Sequence, residues 1–242
     1  ASGTAAIQAN ELVINHGNNP SYFQVGYETS DFAAPWNNIL TNNPGKITWT
    51  FNMQSSLADS IVFSSDASTY TSVVLASSSS NPATSVGYAV AWGNPNNNRR
   101  DQLRLTAFKP VNGVPNSSSF IFSGANDDGD PFDNINTEHL SIKVEYDPVT
   151  DQWTLFARND GSDFADPATG TGFIEIGSAI HTEHVGVPMT QVGFAGIYAD
   201  PTSYSYDNFT ISVVPEPSAF LLGSIGLIGI AAARRRFSNK VA

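Results

Sequence analysis

Cysteine is absent from all 242 residues of this chain, and basic residues are scarce over most of its length. The lack of thiols excludes disulfide scaffolds, thiolate zinc sites, iron–sulfur clusters and cysteine nucleophiles. Residues 1–214 hold 7 Lys and Arg against 21 Asp and Glu, a balance of −14. A body this acidic repels nucleic acid and anionic lipid, which argues strongly against nucleic-acid binding. Hydrophobic residues reach 40%, enough for a globular domain with a sizeable core.

Residues 214–242 differ in composition from everything before them. Pro215 and Pro217 end a strand-like stretch and predict an extended linker. Sixteen uncharged residues follow, from Ser218 to Ala233, and three arginines come next. As a helix, sixteen residues reach about 24 Å, short of the roughly 30 Å hydrocarbon core of a bilayer. Such a helix spans a membrane only with snorkelling arginines, which then stay on the cytoplasmic side while the body lies outside.

This tail closely resembles the PEP-CTERM sorting signal of Gram-negative bacteria. The matching parts are the short apolar segment and two motifs: Pro215, Glu216 and Pro217 before it, and Arg234, Arg235 and Arg236 after it. The resemblance implies that an exosortase in the inner membrane recognises the Pro-Glu-Pro element and removes the helix. The body would then be released to the cell surface or the extracellular matrix, where such proteins are often linked to exopolysaccharide and biofilm. The alternative, a buried C-terminal helix of the domain, is disfavoured by the three arginines. Export also suggests that a signal peptide preceded Ala1 and was removed.

The body alternates apolar and polar residues with a period of two. In residues 46–53, for example, Ile47, Trp49 and Phe51 face one way, and residues 102–108 and 139–146 alternate similarly. This pattern is typical of strands buried on one side only. Further candidate strands are 11–15, 22–27, 60–64, 71–76, 86–92, 119–124, 152–158, 172–177, 191–198 and 204–213. About thirteen strands separated by Asn, Pro, Gly and Asp turns predict a two-sheet antiparallel sandwich, with Trp49 and Trp153 in its core.

Residues 139–213 resemble the C-terminal half of concanavalin A-like jelly rolls, including laminin-G-like domains. The resemblance rests on Lys-Val-Glu-Tyr-Asp at 143–147, Trp-Thr-Leu at 153–155, Val-Gly-Phe-Ala-Gly at 192–196 and Tyr-Asp-Asn-Phe-Thr-Ile at 206–211. It implies an all-β jelly-roll sandwich in which the last strand lies beside the first, so 204–213 should pair near 11–15. We therefore expect a sandwich domain over 1–213, and a sorting signal with a single apolar helix over 214–242. Asp207 and Asn208 are expected to close a turn at the start of the last strand.

Calcium is the first ligand to consider, because one loop is crowded with acids. Its four carboxylates fall within seven positions: Asp127, Asp128, Asp130 and Asp133. A hard cation with oxygen ligands would relieve their mutual repulsion, although Pro131 stands where an EF-hand needs glycine. A second loop, 160–166, repeats the acidic theme. The alternatives are a calcium-pinned loop and a solvated acidic loop, and the pattern favours the solvated loop.

Transition metals find less support in the sequence. His181 and His184 are three residues apart, which would place their imidazoles on opposite faces of a strand. Only a turn would bring the two rings together. We therefore expect surface histidines rather than metal ligands.

Carbohydrate is the second candidate ligand, at residues 88–101. Trp92 could offer a ring face for stacking, and five further side chains could offer paired hydrogen bonds to sugar hydroxyls: Asn94, Asn96, Asn98, Arg99 and Arg100. Trp36 is a second possible platform. The alternative places Trp92 in the core and lets the asparagines cap their own turn. The sequence does not separate these interpretations decisively.

A hydrolytic site has no clear signature, and we assign no catalytic residue. Glu145 and Asp147 have the two-residue spacing of paired carboxylates in jelly-roll glycosidases, but Asp147 precedes Pro148 and is expected to be a turn residue. A Gly-x-Ser-x-Gly nucleophile motif does not occur in the body. The leading hypothesis is an exported, non-catalytic sandwich that contacts carbohydrate or exopolysaccharide. The alternatives are a glycoside hydrolase or lyase of the same fold and a purely structural biofilm matrix protein.

Overall fold

Antiparallel strands form two sheets in the structure, a computed structural model that describes residues 4–8, 11–15, 21–28, 45–55, 69–80, 84–94, 103–111, 114–123, 139–198 and 203–215. The thirteen strands within these residues are β1 (Thr4–Gln8), β2 (Glu11–Asn15), β3 (Ser21–Glu28), β4 (Gly45–Ser55), β5 (Thr69–Ser77), β6 (Gly87–Asn94), β7 (Leu103–Val111), β8 (Val114–Ser123), β9 (His139–Asp147), β10 (Gln152–Gly161), β11 (Ile174–Ile180), β12 (Gln191–Tyr198) and β13 (Ser203–Pro215). Most of the predicted strands are confirmed. Residues 60–64 lie outside the described residues, and β1 was not predicted.

The chain order of the strands differs from their order in the sheets. A seven-stranded sheet runs β1-β2-β13-β4-β9-β10-β11, and a six-stranded sheet runs β3-β12-β5-β6-β7-β8. β13 pairs with β2 on one side, where Tyr204 lies opposite Ile14, and with β4 on the other. The predicted pairing of 204–213 with 11–15 is therefore confirmed. The last strand is an inner strand with hydrogen-bonding partners on both sides.

The alternation in β4 predicts its buried face correctly. Ile47, Trp49 and Phe51 are fully buried between the sheets, whereas Lys46 on the other face is exposed. The indole Nε1 of Trp49 donates to the carbonyl oxygen of Leu75 at 2.9 Å. Because Leu75 belongs to β5, this hydrogen bond joins the seven-stranded sheet to the six-stranded one.

An aromatic cluster around Trp153 fills the space between the sheets. The ring centroid of Trp153 lies 5.7 Å from that of Trp49, 4.3 Å from that of Tyr88 and 4.5 Å from that of Tyr146. Tyr88 comes from β6, and the other three rings come from the seven-stranded sheet. Aromatic pairs at such distances stabilise a core beyond the area they bury. The predicted core positions of Trp49 and Trp153 are confirmed.

The sequence predicts burial on one side only for residues 46–53, 102–108 and 139–146, and this prediction is wrong for several polar residues of the outer faces. Asn52 of β4 and Ser141 of β9 are fully buried. Leu105 of β7 points into the main core, but Arg104 and Thr106 are only 2% and 3% exposed. Nearby, Phe108 packs with Val74 and Ala89 in a second, smaller apolar cluster. The six-stranded sheet is thus covered on both faces here, and Arg104 and Thr106 of β7 do not face water.

The hydroxyls of Tyr88 and Tyr146 resist ionisation in the folded protein. Burial, above all, raises the pKa of Tyr88 to about 12, against a weaker opposing effect of the hydrogen bond that its oxygen accepts from the amide of His184. Burial also raises the pKa of Tyr146 well above its usual value, and the 2.8 Å hydrogen bond that its hydroxyl donates to Asp151 Oδ1 adds to the effect. Both side chains are therefore neutral in the folded state at any ordinary pH.

These raised pKa values predict a loss of stability at alkaline pH. The unfolded chain ionises its tyrosines near pH 10, so the stabilisation from Tyr88 is complete below pH 10 and is lost as the pH rises towards about 12. We expect the free energy of unfolding to fall over this range by up to about 1.4 kcal/mol per pH unit for each such tyrosine. Urea unfolding at a series of pH values measures the slope, and Tyr146→Phe should reduce it. An equal slope in Tyr146→Phe would contradict the raised pKa of Tyr146.

Candidate functional site

The outer face of the seven-stranded sheet carries paired charges and partly covered aromatic rings. Lys143 Nζ lies 2.9 Å from Glu145 Oε1 and 4.1 Å from the ring centroid of Phe156. The guanidinium carbon of Arg158 lies 4.9 Å from the ring centroid of Phe173. Cations thus already contact both rings, and a sugar that stacked on the same ring faces would have to displace them.

The two carboxylates with glycosidase spacing have local partners. Glu145 pairs with Lys143, as described above. Asp147 Oδ1 accepts a hydrogen bond from the amide of Val149 at 2.9 Å, and its Oδ2 lies 4.0 Å from Lys46 Nζ. The predicted turn role of Asp147 is confirmed. The two side chains form an ion-paired surface beside a hairpin turn.

An arginine organises the second acidic loop, residues 160–166. Arg158 Nε donates to Asp160 Oδ1 at 2.6 Å, and the Asp160 side chain is only 1% exposed. The second carboxylate oxygen of Asp160 accepts from Ser141 Oγ at 2.6 Å, from the amide of Ala165 at 3.1 Å and from Asn52 Nδ2 at 3.3 Å. A buried carboxylate with a guanidinium and three further donors is a well-satisfied structural group.

Carbonyl groups of the same loop complete the network. Arg158 donates from Nη1 to the carbonyl of Thr169 at 3.0 Å and from Nη2 to that of Asp166 at 3.2 Å. The carboxylate of Asp166 instead caps the amide of Ala168 at 2.8 Å, so it does not converge with Asp160. Over the described ranges, no group of three acidic or histidine side chains could hold a metal ion. The predicted calcium ligands Asp127, Asp128, Asp130 and Asp133 lie outside those ranges.

Sequence reasoning missed this network, although a signal was present. Arg158 and Asp160 are opposite charges two residues apart, and residues at that spacing share a face of a strand. The partners from β4 and β9, Asn52 and Ser141, could not be found from sequence because their approach depends on the register between strands.

Asp207 and Asn208 form a bulge within β13, which corrects their expected position at the start of the strand. The register against β4 shifts between Asp207 and Thr210, and Asn208 has a positive φ of 51°. The amide of Asn208 donates to Asp207 Oδ1 at 2.8 Å, and its Nδ2 donates to Asn52 Oδ1 at 2.7 Å. The expected role in satisfying a backbone group is confirmed. The bulge also links β13 to the Asp160 network.

His181 and His184 lie in the turn region after β11. The prediction that a strand would place their imidazoles on opposite faces is therefore wrong. Their ring centroids are 6.5 Å apart. His184 is only 3% exposed and meets the ring of Tyr88 edge-on at 5.2 Å, so the expectation of a surface position is also wrong for this residue. His181 Nε2 lies 3.7 Å from Glu183 Oε2. The turn buries one imidazole against the aromatic core instead of projecting it into solvent.

Trp92 is a core residue, which corrects its interpretation as a stacking platform. It is 4% exposed within the main cluster, as the alternative interpretation held. Asn94 is the last residue of β6. The other residues predicted to contact carbohydrate lie outside the described part of the chain: Trp36, Asn96, Asn98, Arg99 and Arg100. The burial of Trp92 leaves hydrogen bonding as the chemistry available to this segment.

The sorting motif begins at the end of β13. Val214 lies opposite Lys46 of β4, and Pro215 lies opposite Gly45. Glu216, Pro217, the apolar segment and Arg234–Arg236 lie outside the described residues, as does the predicted C-terminal helix. Among the residues that are described, no helix has the length and apolar character needed to cross a bilayer. The Pro-Glu-Pro element therefore starts at the last described pair of the β13–β4 ladder.

Asp160→Ala should destabilise the protein strongly. The substitution leaves a largely buried guanidinium and the Ser141 hydroxyl without their carboxylate, which should lower the free energy of unfolding by about 3 kcal/mol. Asp163→Ala is the matched control, because this exposed carboxylate of the same loop accepts only from its neighbour Ser162 in the described residues. The control should stay within about 0.5 kcal/mol of the parent. Urea denaturation compares the three proteins, and equal losses in both variants would contradict the network's role.

Comparison with known proteins identifies the tail and the fold separately. Residues 213–236 match the family model of the PEP-CTERM protein-sorting motif. No curated protein matches the chain in sequence. A seed lectin isoform of Lotus tetragonolobus aligns over 88% of this chain and 92% of its own, with a TM-score of 0.53 and 14% identity. Lectin I of Ulex europaeus, solved with the methyl glycoside of α-L-fucose, aligns over 88% and 90%, with a TM-score of 0.50 and 13% identity.

At such identities the likeness to the two lectins shows the fold alone. The sorting motif, by contrast, marks the chain for exosortase-dependent export through a membrane-anchored intermediate. This protein therefore carries a PEP-CTERM sorting motif behind a body with the concanavalin A-like jelly-roll fold of the legume lectins.

Proposed function

We propose that this protein acts at the cell surface or in the extracellular matrix, where its sandwich contacts exopolysaccharide without catalysing a reaction. The observation that carries the proposal is the PEP-CTERM motif at residues 213–236, which begins at the end of the inner strand β13. An exported body with no thiols and a strong negative charge suits a matrix outside the cell. The legume-lectin fold supports carbohydrate contact by analogy.

The sorting step uses the two ends of the tail differently. Exosortase in the inner membrane recognises Pro215, Glu216 and Pro217, while the apolar residues 218–233 hold the chain in the bilayer. Arg234, Arg235 and Arg236 keep the far end of this segment at the cytoplasmic surface. Removal of the segment releases the sandwich.

Carbohydrate contact is assigned to the segment that follows β6. Buried Trp92 fixes the end of this strand, and Asn94 begins an asparagine-rich stretch that ends in Arg99 and Arg100. Amide and guanidinium groups bind paired sugar hydroxyls through planar, two-point hydrogen bonds. Calcium on Asp127, Asp128, Asp130 and Asp133 would pin the acidic loop that these residues form in sequence and is the one cofactor included in the proposal.

Changing the motif tests the sorting step in the native host. In Glu216→Ala the Pro-Glu-Pro element loses its charge, so we expect an unprocessed chain that accumulates in the inner membrane. Lys240→Ala is the control, because it removes a tail charge outside the matched residues 213–236. Mass spectrometry of the membrane and secreted fractions reads the C-terminus. An intact wild-type chain recovered from the cytosol would overturn the proposed route.

A glycan array, probed with and without calcium, tests carbohydrate contact. The double variant Arg99→Ala/Arg100→Ala should bind its best glycan at least about ten-fold more weakly, because charge-assisted hydrogen bonds contribute roughly 1.5–3 kcal/mol each. Lys46→Ala is the control: its side chain is 57% exposed and lies on β4 of the other sheet. Absence of binding both with and without calcium would overturn glycan contact and favour a purely structural role in the matrix.

A further inference from the structure

Large apolar side chains are exposed mainly at one end of the sandwich. The described residues include four of them: Val149 at 67%, Ile174 at 48%, Ile180 at 69% and Val185 at 45%. Ile174 is the first residue of the edge strand β11 and lies opposite Ala157, in the middle of β10. The other three lie at the end where β13 leaves for the tail, as the strand register shows.

Register places residues at or next to the ends of five strands in one row. Val214 of β13 is opposite Lys46 of β4, whose Nζ lies 4.0 Å from Asp147 of β9. Asp147 is opposite Gln152 of β10, which is opposite Ile180 of β11. At about 4.8 Å per strand, this row extends about 19 Å from the tail exit to Ile180.

Val149 and Val185 extend the apolar part of this end. Val149 lies in the turn between β9 and β10, just beyond the row. Val185 lies in the turn after β11, next to the buried His184. We name the set Val149, Ile180 and Val185 the apolar rim.

The connection between the rim and the apolar segment of the tail is short. Only Glu216 and Pro217 separate Pro215 from Ser218, where the uncharged segment begins. Three extended residues reach at most about 10 Å. A helix of sixteen residues is about 24 Å long, so spanning a hydrocarbon core of roughly 30 Å draws its ends towards the bilayer interior and leaves no slack in the connection.

The charges at this end of the sandwich do not favour binding to an anionic lipid surface. Five ionisable residues of the described part of the chain lie in or next to this row and its turns: Lys46, Asp147, Asp151, His181 and Glu183. Acids outnumber lysine, so attraction to lipid must come from the apolar side chains and is best satisfied by zwitterionic headgroups. The chemistry of the surface therefore fits a phosphatidylethanolamine- or phosphatidylcholine-rich bilayer.

We propose that the apolar rim docks on the bilayer surface while the tail anchors the protein, and so holds the Pro-Glu-Pro element at the membrane interface. This inference rests on the anchored intermediate of the proposed function. Three partly inserted side chains are too few to retain the body once the anchor is removed, so docking ends on release.

Single-cysteine labelling tests the docking cleanly, because the chain has no cysteine of its own. Val149→Cys, Ile180→Cys and Val185→Cys, each in the full chain, carry an environment-sensitive fluorophore in vesicles of phosphatidylethanolamine and phosphatidylcholine. Ile174→Cys is the matched control, because Ile174 is exposed and lies at the other end of β11 from Ile180. Partial insertion should lower iodide quenching at the three rim positions by about two-fold relative to the detergent-solubilised chain, and leave position 174 unchanged.

A linker variant separates docking from mere proximity. Inserting about twelve Gly and Ser residues after Pro217 adds roughly 20 Å of reach, which should restore quenching at the rim if the short tether holds it down. Flotation of the full chain with the vesicles reads anchoring independently. Failure to float would overturn the anchored intermediate and docking together. Flotation with equal quenching at the rim and at position 174 would overturn docking alone.

Discussion

Hydrogen bonding of β13 to strands on both of its sides is the constraint on which the rest of this molecule depends. The strand comes last in sequence, yet it lies between β2 near the start of the chain and β4. Completing the seven-stranded sheet therefore requires strands from the start of the chain and from its end to meet. The same pairing fixes the position of the tail, because residues that follow an inner strand can leave the sheet only at its end.

Two buried assemblies hold the sheets around this strand. Aromatic rings centred on Trp153 connect the sheets, with Tyr88 contributed by the six-stranded one. On the outer face, the Arg158–Asp160 pair holds the loop after β10 against Asn52, which the bulge at Asn208 contacts from β13. One assembly is apolar and insensitive to salt, whereas the other depends on a fully satisfied ion pair.

Local pattern was enough to predict the strands but not which polar side chains are buried. Alternation in β4 and β9 gave both the strands and their inner faces, because these residues meet the core through local geometry alone. Arg104, His184 and Trp92 were misjudged or left open, since their burial depends on segments distant in sequence. The tail was the clearest part of the sequence, because its signal is a linear order of motifs rather than a product of folding. The carbohydrate and calcium residues remain predictions.

The pairing of Pro215 with Gly45 has a consequence for the proposed removal of the C-terminal tail. Every described backbone pair of β13 precedes or includes Pro215, so a cut at any later bond severs none of them. A cut beyond Pro215 therefore leaves the described pairing of β13 with β2 and β4 intact. The proposed removal of the tail would thus leave the strand order of both described sheets unchanged.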